Sequence, residues 1–509
     1  MLSINKLQYH TKRIRSIVNE IKRTTFCFTR FLNSKSRLFP LVFFYSFSLI
    51  VGLVGCNKLV EVAPPVTSIT DDNVYASDAT AIAVLTGIYG QLSTTSNYNS
   101  MGLTTISLFS GLSSDELTLF GGGTGNYNAY YTNNLSVGAG GFEYWNNIYP
   151  YIFTCNSAIE GLASGSSLTP AIKRQLEGEA KFMRALFYFY LVNLYGDVPL
   201  ALSTDYSLNG LLSRSSKAQV YSQIVNDLKD AQTSLSADYL DPTLLNTTNE
   251  RVRPTKWAAA ALLARTYLYT QNWDSAEVQS TSVINNLSMY GLDSLNGVFL
   301  ANSTEAIWQL QPVNTGWNTE DARVFIIPST GPDPFAYPVY LSPQLLNSFE
   351  STDLRRTNWI DSTIVAGNTY YFPYKYKVNL QGAPVMEYLM MLRLGEQYLI
   401  RAEARAYQGN TTGAVQDLNI IRIRAGLPPT TAASQSDLIA AIQHERQVEL
   451  FTELGQRWLD LKRTGSVDSV MNSVCPLKNG SNWVTNQKLY PIPLGDIQRD
   501  PNLVQNPGY

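Results

Sequence analysis

Histidine and cysteine are scarce in this 509-residue chain, which contains two histidines and four cysteines. Only His444 lies beyond the N-terminal region, so the composition argues against a histidine-rich metal site and leaves one candidate base for a Ser-His-Asp triad. Beyond residue 56 the only cysteines are Cys155 and Cys475, too few for a disulfide framework. Whether these two pair cannot be read from their spacing.

Charge is also low, at 15% of residues, whereas aromatic residues reach 12% and include 31 tyrosines. Nine of the lysines and arginines and only one acidic residue precede residue 56, so the remainder carries a net charge of about −10. Because binding to phosphates requires clustered cations, a nucleic-acid partner is not expected. The excess of tyrosine suits surfaces that are half apolar and half hydrated.

Long apolar runs are absent except for one uncharged stretch, residues 38–57, which follows a basic leader. It reads as a secretory signal, and its last residues, Leu53-Val54-Gly55-Cys56, resemble a bacterial lipobox. In such signals the cysteine is acylated after cleavage before it, so Cys56 is the predicted lipidation site. The alternative is a transmembrane helix. We therefore divide the chain into a signal peptide with a long leader (1–55), a lipid-anchor tether (56–75) and one α-helical binding domain (76–509).

Most long segments of this domain have helical periodicity. Residues 178–195 are apolar nearly all round, which is typical of a helix inside a bundle, and Gly196 follows at the position of a helix stop. Residues 257–285 and 392–425 both read as helix, turn, helix. Their matching small and large residues resemble the tetratricopeptide pattern, in which alanines allow close helix crossing. The matched pairs are Ala264 with Ala402, Tyr269 with Tyr407, and Ala276 with Ala414.

Two loop-rich regions, residues 109–141 and 311–340, interrupt the helices and are rich in aromatic and amide side chains. Sugar rings present C–H patches and hydroxyl edges, so their pockets combine flat aromatic platforms with hydrogen-bonding groups. The first region offers the candidate ligand contacts Asp115, Phe120, Tyr127 and Tyr130, together with Asn126, Tyr131 and Asn133. The second offers Trp317, Asn318, Arg323, Phe335 and Tyr337. The tryptophans 145, 257, 308 and 458 are predicted to lie in the core.

No catalytic or metal-binding arrangement is evident. The carboxylates Asp115 and Glu116 are adjacent, and adjacent residues rarely converge on one glycosidic bond. The glycine-rich stretch near residue 121 lacks the Gly-Lys-Ser/Thr ending of a phosphate loop, and no zinc spacing occurs. Glu445, Arg446, Glu449, Glu453 and Arg457 have the spacing of ion pairs along a helix face, and we interpret them as structural. We expect no catalytic residue, no metal and no cofactor.

Three blocks of sequence, residues 178–200, 444–465 and 490–509, resemble the SusD/RagB family of surface nutrient-binding lipoproteins. The resemblance implies a mainly α fold, in which tetratricopeptide-like helical hairpins form a single large domain with long ligand-binding loops. It also implies a lipid anchor in the outer membrane, facing the exterior, and a partner, a SusC-like TonB-dependent β-barrel transporter. Only one acidic residue, Glu61, follows Cys56 closely, whereas surface export in such bacteria favours several.

The function that this resemblance implies is the binding of glycans and their delivery to the SusC-like transporter, without chemistry on the cargo. Three alternatives stay open. The same fold and partner could take peptides as cargo; the protein could be a lipid-anchored glycosidase; or it could be a tetratricopeptide scaffold that binds only protein. The scaffold hypothesis predicts that replacing Trp317 and Tyr127 by alanine leaves function unchanged.

Overall fold

Helices dominate the computed structural model, which describes residues 74–94, 103–122 and 126–509. All of these residues belong to one unit that extends from Ile69 to Tyr509. Cys56, the predicted signal peptide and nearly all of the tether lie outside the described residues. No helix in the described ranges is long and apolar enough to cross a membrane.

Nine helices lie in the first half of the described chain. They are α1 (Asp78–Leu92), α2 (Thr104–Ser113), α3 (Asn126–Tyr131), α4 (Glu143–Ser164), α5 (Pro170–Tyr195), α6 (Tyr206–Asn209), α7 (Lys217–Ser234), α8 (Lys256–Tyr269) and α9 (Trp273–Ile284). Nine more follow: α10 (Glu320–Phe325), α11 (Pro343–Leu346), α12 (Arg355–Asn358), α13 (Leu394–Tyr407), α14 (Thr411–Arg424), α15 (Gln435–Glu449), α16 (Gln456–Arg463), α17 (Val467–Val474) and α18 (Leu494–Arg499).

In the described part of the chain the strands are short and pair only in twos. They are β1 (Leu117–Leu119), β2 (Val198–Pro199), β3 (Arg214–Ser215), β4 (Ala306–Leu310), β5 (Val339–Leu341), β6 (Ile360–Val365), β7 (Asn368–Pro373) and β8 (Leu389–Arg393). All four pairs are antiparallel: β1 with β5, β2 with β3, β4 with β8, and β6 with β7. Two of these pairs, β1–β5 and β4–β8, join segments that are far apart in sequence.

The long helices pack side by side, largely in chain order, as successive helical hairpins. Helix α4 packs on α5, α5 on α7, α7 on α8, α8 on α9, α9 on α13, and α13 on both α14 and α15. The predicted mainly α fold of stacked helical hairpins is confirmed. The two similar segments form the hairpins α8–α9 and α13–α14, and the four aligned alanines, Ala264, Ala402, Ala276 and Ala414, are fully buried. A larger side chain at such a crossing would push the helices apart.

The aligned tyrosines differ in their environment. Tyr269 is buried, and the guanidinium carbon of Arg463 lies 5.3 Å from its ring centroid. Tyr407 is exposed on one side and stacks on Trp273 with ring centroids 4.1 Å apart. The second hairpin therefore places its tyrosine at the surface, where the aromatic residue of the neighbouring hairpin covers one face of the ring.

Helix α5 is the centre of the core, and every residue from 185 to 195 is buried. It ends where the sequence predicts, because Gly196 has φ of 78°, a conformation that favours glycine. Within this apolar helix Arg184 donates to both carboxylate oxygens of Asp227 on α7, at 2.7 and 2.8 Å. A buried bidentate pair of this kind satisfies both charges and fixes α5 against α7.

The acidic and basic residues 445–457 do not pair along one helix, because α15 ends at Glu449 and α16 begins only at Gln456. Residues 452, 454 and 455 between them have positive φ. Their partners lie elsewhere in the chain: Glu449 accepts from Arg355, Arg393 and Arg424, whereas Arg457 donates to Asp115. The prediction of a structural role fits this arrangement, but the prediction of pairing along one helix face is wrong.

Cys155 and Cys475 are both free and buried, so they do not form a disulfide bond. The predicted core positions Trp145, Trp308 and Trp458 are buried, and Trp257 is half-buried. The C-terminal segment returns to the end of α5: the backbone N–H of Tyr490 donates to the carbonyl of Leu194 at 2.8 Å.

Candidate functional site

The β1–β5 pair joins the two loop regions that the sequence analysis singles out. Leu117 lies opposite Leu341 and Leu119 opposite Val339, more than 200 residues along the chain. The backbone N–H of Phe120 extends the contact by donating to the carbonyl of Pro338 at 2.7 Å. The segment that follows β1 and the segment that precedes β5 therefore lie side by side.

Aromatic side chains gather at this junction. The ring of Tyr370, on β7, packs edge-on against Phe120 at 5.7 Å and against Tyr340 at 5.3 Å. All three rings are half-buried, so each keeps an accessible part. Edge-to-face pairs of this geometry fix ring orientation and leave the remaining ring surface available for contact.

A tight turn places two further aromatic residues beside this cluster. Asp333 and Tyr337 exchange backbone hydrogen bonds of 3.1 and 3.0 Å, and the Asp333 carboxylate accepts from the N–H groups of Phe335 and Ala336. The turn leaves the Phe335 side chain 66% exposed. Its Pro334 side chain lies 3.7 Å from the position that a Cβ atom would take at Gly121. We call the resulting surface the loop face and define it as Phe120, Phe335, Tyr337, Tyr340 and Tyr370.

A polar cavity of about 610 Å³ adjoins the loop face at Gly122, two residues after Phe120. Most of its lining consists of amide, hydroxyl and backbone groups. The lining residues are Gly122, Asn128, Thr132, Asn133, Asn134, Asn479, Gly480, Ser481, Asn482, Val484 and Gln487. Amides both donate and accept hydrogen bonds, which suits them to ligands with many hydroxyl groups.

Trp317 precedes helix α10, which contacts helix α2, and α2 also contacts helix α3, which carries Tyr127. Its ring is half-buried, and the guanidinium carbon of Arg323 lies 4.8 Å from the ring centroid. Glu320 holds that guanidinium through hydrogen bonds of 2.7 and 2.8 Å. The cation occupies one face of the indole, so a ligand could stack only on the opposite face.

Three of the predicted ligand contacts are buried and have partners inside the protein. Asp115 forms a bidentate ion pair with Arg457, at 2.7 and 2.8 Å. Asn318 donates to the Pro384 carbonyl and accepts from the N–H groups of Met386 and Glu387. Burial and internal bonding remove these residues, and Tyr130, from the candidate contacts.

Tyr130 is only 2% exposed and stacks on Phe109 with ring centroids 4.3 Å apart. Its hydroxyl donates to Glu143 and accepts from the N–H of Gly141 at 2.8 Å. Burial, followed by the charge of Glu143, raises the pKa of Tyr130 well above its ordinary value. Tyr130 therefore packs α3 against the protein interior. Tyr127, on the same helix, is half-buried, with its ring centroid 5.9 Å from that of Phe109.

The remaining polar residues of the first loop region also have structural roles. Asn126 donates to Glu143, and Asn133 is buried and donates to the Ser113 carbonyl at 2.9 Å. Tyr131 is buried as well. The polar groups available to a ligand come instead from positions that the sequence analysis does not single out, notably Asn128, Asn134 and residues 479–482.

Residues 479–482 and Tyr370 were not predicted as part of the site, for two different reasons. The sequence Asn479-Gly480-Ser481-Asn482 is a turn-forming polar cluster, and its composition alone marks it as a loop. Tyr370 lies in a hairpin strand, and nothing in its local sequence indicates that it meets Phe120. That contact depends on how β7 packs against β5.

Glu116, the carboxylate next to Asp115, is enclosed directly before β1. Burial, with a smaller contribution from the Asp115 charge, raises the pKa of Glu116 to about 8. It accepts a hydrogen bond of 3.1 Å from the N–H of Thr452. The two adjacent carboxylates, Asp115 and Glu116, are thus both held in the interior. Within the described ranges no group of three or more His, Cys, Asp or Glu side chains is arranged to hold a metal ion.

Comparison with known proteins identifies the family. Residues 73–268 match a family described as "Starch-binding associating with outer membrane", and residues 355–509 match one described as "SusD family". The chain belongs to the SusD family. The three blocks that carry the resemblance in the sequence all lie within these matched ranges, so that prediction is confirmed.

Individual SusD relatives agree over most of the chain. The SusD-like protein P2 of Formosa agariphila is 26% identical and aligns over 91% of this chain and 98% of its own length. A SusD superfamily protein from Bacteroides vulgatus is 21% identical, with a TM-score of 0.71, over 85% of this chain and 99% of that structure. A laminarin-binding SusD-like protein is 24% identical, with a TM-score of 0.69, over 84% of this chain and 99% of that structure.

Proposed function

We propose that this SusD family member binds glycans on the loop face and in the adjoining polar cavity. The observation that carries the proposal is the β1–β5 pairing, which brings the segments that carry Phe120 and Phe335 side by side, next to an amide-lined cavity of about 610 Å³. Aromatic rings would cover the C–H faces of sugar units, and the amides would bind their hydroxyls. Trp317, Tyr127 and Arg323 are proposed as secondary contacts.

Binding without chemistry fits the state of the carboxylates in this region. Asp115 is ion-paired with Arg457, and Glu116 is buried with a raised pKa, so neither is positioned to attack or protonate a bound sugar. The descriptions of relatives point the same way, since one matched family is described as starch-binding and one structural neighbour as laminarin-binding. We therefore propose a binding protein and not an enzyme.

Anchoring and delivery complete the proposal. Acylation at Cys56 would attach the protein to the outer membrane, facing the exterior, and the bound glycan would pass to a SusC-like TonB-dependent barrel. The description of the matched family, which includes association with the outer membrane, supports this location. Reversible binding of modest affinity would serve such a handover better than tight binding, because the cargo has to be released.

One feature favours peptide cargo as a second candidate. Gly382 donates a backbone hydrogen bond of 2.7 Å to the Gly316 carbonyl, which brings the segment that contains Leu380 and Met386 beside Trp317. Both side chains are more than half exposed. Apolar groups of this kind would suit peptide side chains better than sugar edges.

Calorimetry against amylopectin, laminarin and other polysaccharides, with a peptide mixture as the competing cargo, tests the proposal. The substitution Phe335→Ala removes an exposed ring, and we expect it to weaken glycan binding about five- to tenfold, because one aromatic contact contributes roughly 1 kcal/mol. Leu287→Ala is the control, since Leu287 is also highly exposed and lies outside the loop face. Binding of peptides but of no glycan would refute the proposed cargo.

A further inference from the structure

A second groove, of about 740 Å³, runs between helix α4, the segment from Pro199 to Leu212 and helix α18. Its lining shares no residue with the loop face or with the polar cavity of 610 Å³, as far as the described part of the chain shows. The proposed function does not use this groove, and its side chains require a separate explanation.

Three aromatic side chains occur at every fourth position of α4 along the groove: Trp145, Tyr149 and Phe153. The helical rise separates such positions by about 6 Å, which is close to the length of one pyranose unit in a glycan chain. Phe153 is 49% exposed. Tyr149 is half-buried, and its orientation is fixed because its hydroxyl donates to the Pro199 carbonyl at 2.9 Å.

Trp145 forms the floor of the groove and binds the carboxylate of Asp496, a polar group in the groove wall. It is buried, and its ring lies 4.9 Å from that of Tyr149. Its indole N–H donates to Asp496 Oδ2 at 2.8 Å, while Arg499 donates to the other oxygen of that carboxylate at 3.1 Å. The carboxylate is therefore held in one orientation between two donors, beside the aromatic stripe.

Donors and acceptors along the rim remain available to a ligand. Arg499 is 80% exposed at its side chain, so most of its guanidinium donors face solvent. Asn146 is exposed one position after Trp145 and presents a complete amide to the groove. A fixed carboxylate, a guanidinium and an amide next to aromatic rings can together bind adjacent hydroxyls of a sugar unit.

From these contacts we infer that the groove along α4 is a second glycan-binding site, which takes two or three units of a saccharide chain. The inference rests on the proposed function, because it assigns the same class of ligand to a separate surface. A polysaccharide long enough to reach both surfaces binds more tightly than a short oligosaccharide, because the second contact becomes intramolecular. Leu208 and Leu211 are exposed next to lining residues of the groove, and exposed leucines of this kind would also be expected beside a protein-docking groove.

Affinity electrophoresis of the mature chain in gels that contain amylopectin or laminarin tests the inference. The groove variant carries Asn146→Ala, Phe153→Ala and Arg499→Ala, all at exposed positions. The loop-face variant carries Phe120→Ala and Phe335→Ala, and Leu287→Ala is the control. We expect the groove variant to bind the retarding polysaccharide about tenfold more weakly. The loop-face variant should keep a residual retardation, and adding the groove substitutions to that variant should abolish it.

The outcomes separate the two proposals. If the groove variant migrates like Leu287→Ala in every gel that retards the wild type, the groove does not bind glycans, as expected of a protein-docking surface. If the groove substitutions abolish retardation and the loop-face variant is retarded as strongly as Leu287→Ala, the inference stands and the proposed site on the loop face is wrong. If no polysaccharide retards the wild-type chain, both proposals fail.

Discussion

Replacing Glu449 by glutamine should lower the free energy of unfolding more than a comparable substitution at the protein surface. Glu449 is fully buried, accepts from Arg393 at 2.6 Å and from Arg355 at 2.8 Å, and also binds Arg424. Burial opposes its ionisation, but the three guanidinium groups outweigh burial and hold the pKa of Glu449 well below its ordinary value. Glutamine keeps the shape of the side chain and removes the charge.

The expected loss of stability depends on the carboxylate partners that the three arginines retain. Each still has at least one carboxylate partner after the substitution, and these are Glu305, Asp353, Glu445 and Glu453. Removing one partner from a buried pair typically costs 3–5 kcal/mol. Because the remaining carboxylates compensate in part, we expect Glu449→Gln to lower the free energy of unfolding by about 3 kcal/mol.

Urea unfolding followed by circular dichroism measures this loss, provided that the slope of free energy with denaturant stays unchanged. Glu277→Gln is the matched control: Glu277 pairs with Arg405 at 2.7 Å but is partly exposed, so its pair should contribute less than about 1 kcal/mol. The same loss in both variants would refute the reasoning. The wild type should also lose this contribution progressively as the pH falls below 4.5, whereas Glu449→Gln should not. A carboxylate with a lowered folded-state pKa stabilises the fold fully above its unfolded-state pKa and less and less as the pH falls towards the folded-state pKa.

Three further predictions concern single side chains. Tyr130→Phe should destabilise the fold by about 1–2 kcal/mol in urea unfolding, because Glu143 loses a buried donor, and should leave glycan affinity unchanged in calorimetry. Gly196→Ala should cost roughly 1–2 kcal/mol by the same measurement, because φ is 78° there; a neutral effect would contradict that backbone conformation. Glu116 has a raised folded-state pKa, so its contribution is complete below 4.5 and is lost as the pH rises towards about 8; Glu116→Gln should therefore gain stability relative to the wild type between pH 5 and pH 8, on the order of a few kcal/mol, as judged by unfolding at both values.

The helices were predictable because their signals are local. The apolar run at residues 178–195 and the stop at Gly196 correspond to helix α5, and the two similar segments correspond to the hairpins α8–α9 and α13–α14. The strand pairs were not predictable in the same way. Strands β1 and β5 are three residues each and lie more than 200 residues apart, so no local pattern indicates their register.

The site was predictable as two regions but not as a set of residues. Aromatic and amide content marks both loops, yet composition does not distinguish an exposed ring such as Phe335 from a buried one such as Tyr130. The difference arises from partners outside the local sequence pattern: the carboxylate of Glu143 accepts a hydrogen bond from the hydroxyl of Tyr130, and Arg457 on α16 donates to the carboxylate of Asp115. In both cases a polar group that the sequence predicted as a ligand contact is instead hydrogen-bonded to another side chain within the protein.

The buried ion pairs and the loop face are connected through the segments that carry both. Arg457 on α16 holds Asp115, two residues before β1, and the backbone N–H of Thr452, between α15 and α16, donates to the Glu116 carboxylate at 3.1 Å. The strands that position Phe120 and Phe335 are therefore tied to the C-terminal helices by charged and backbone contacts, and not only by their own three-residue pairing. Since two such short strands are marginally stable alone, the ordering of the binding surface depends on this attachment. Weakening the Arg457–Asp115 pair should thus lower glycan affinity without removing any residue that contacts the ligand.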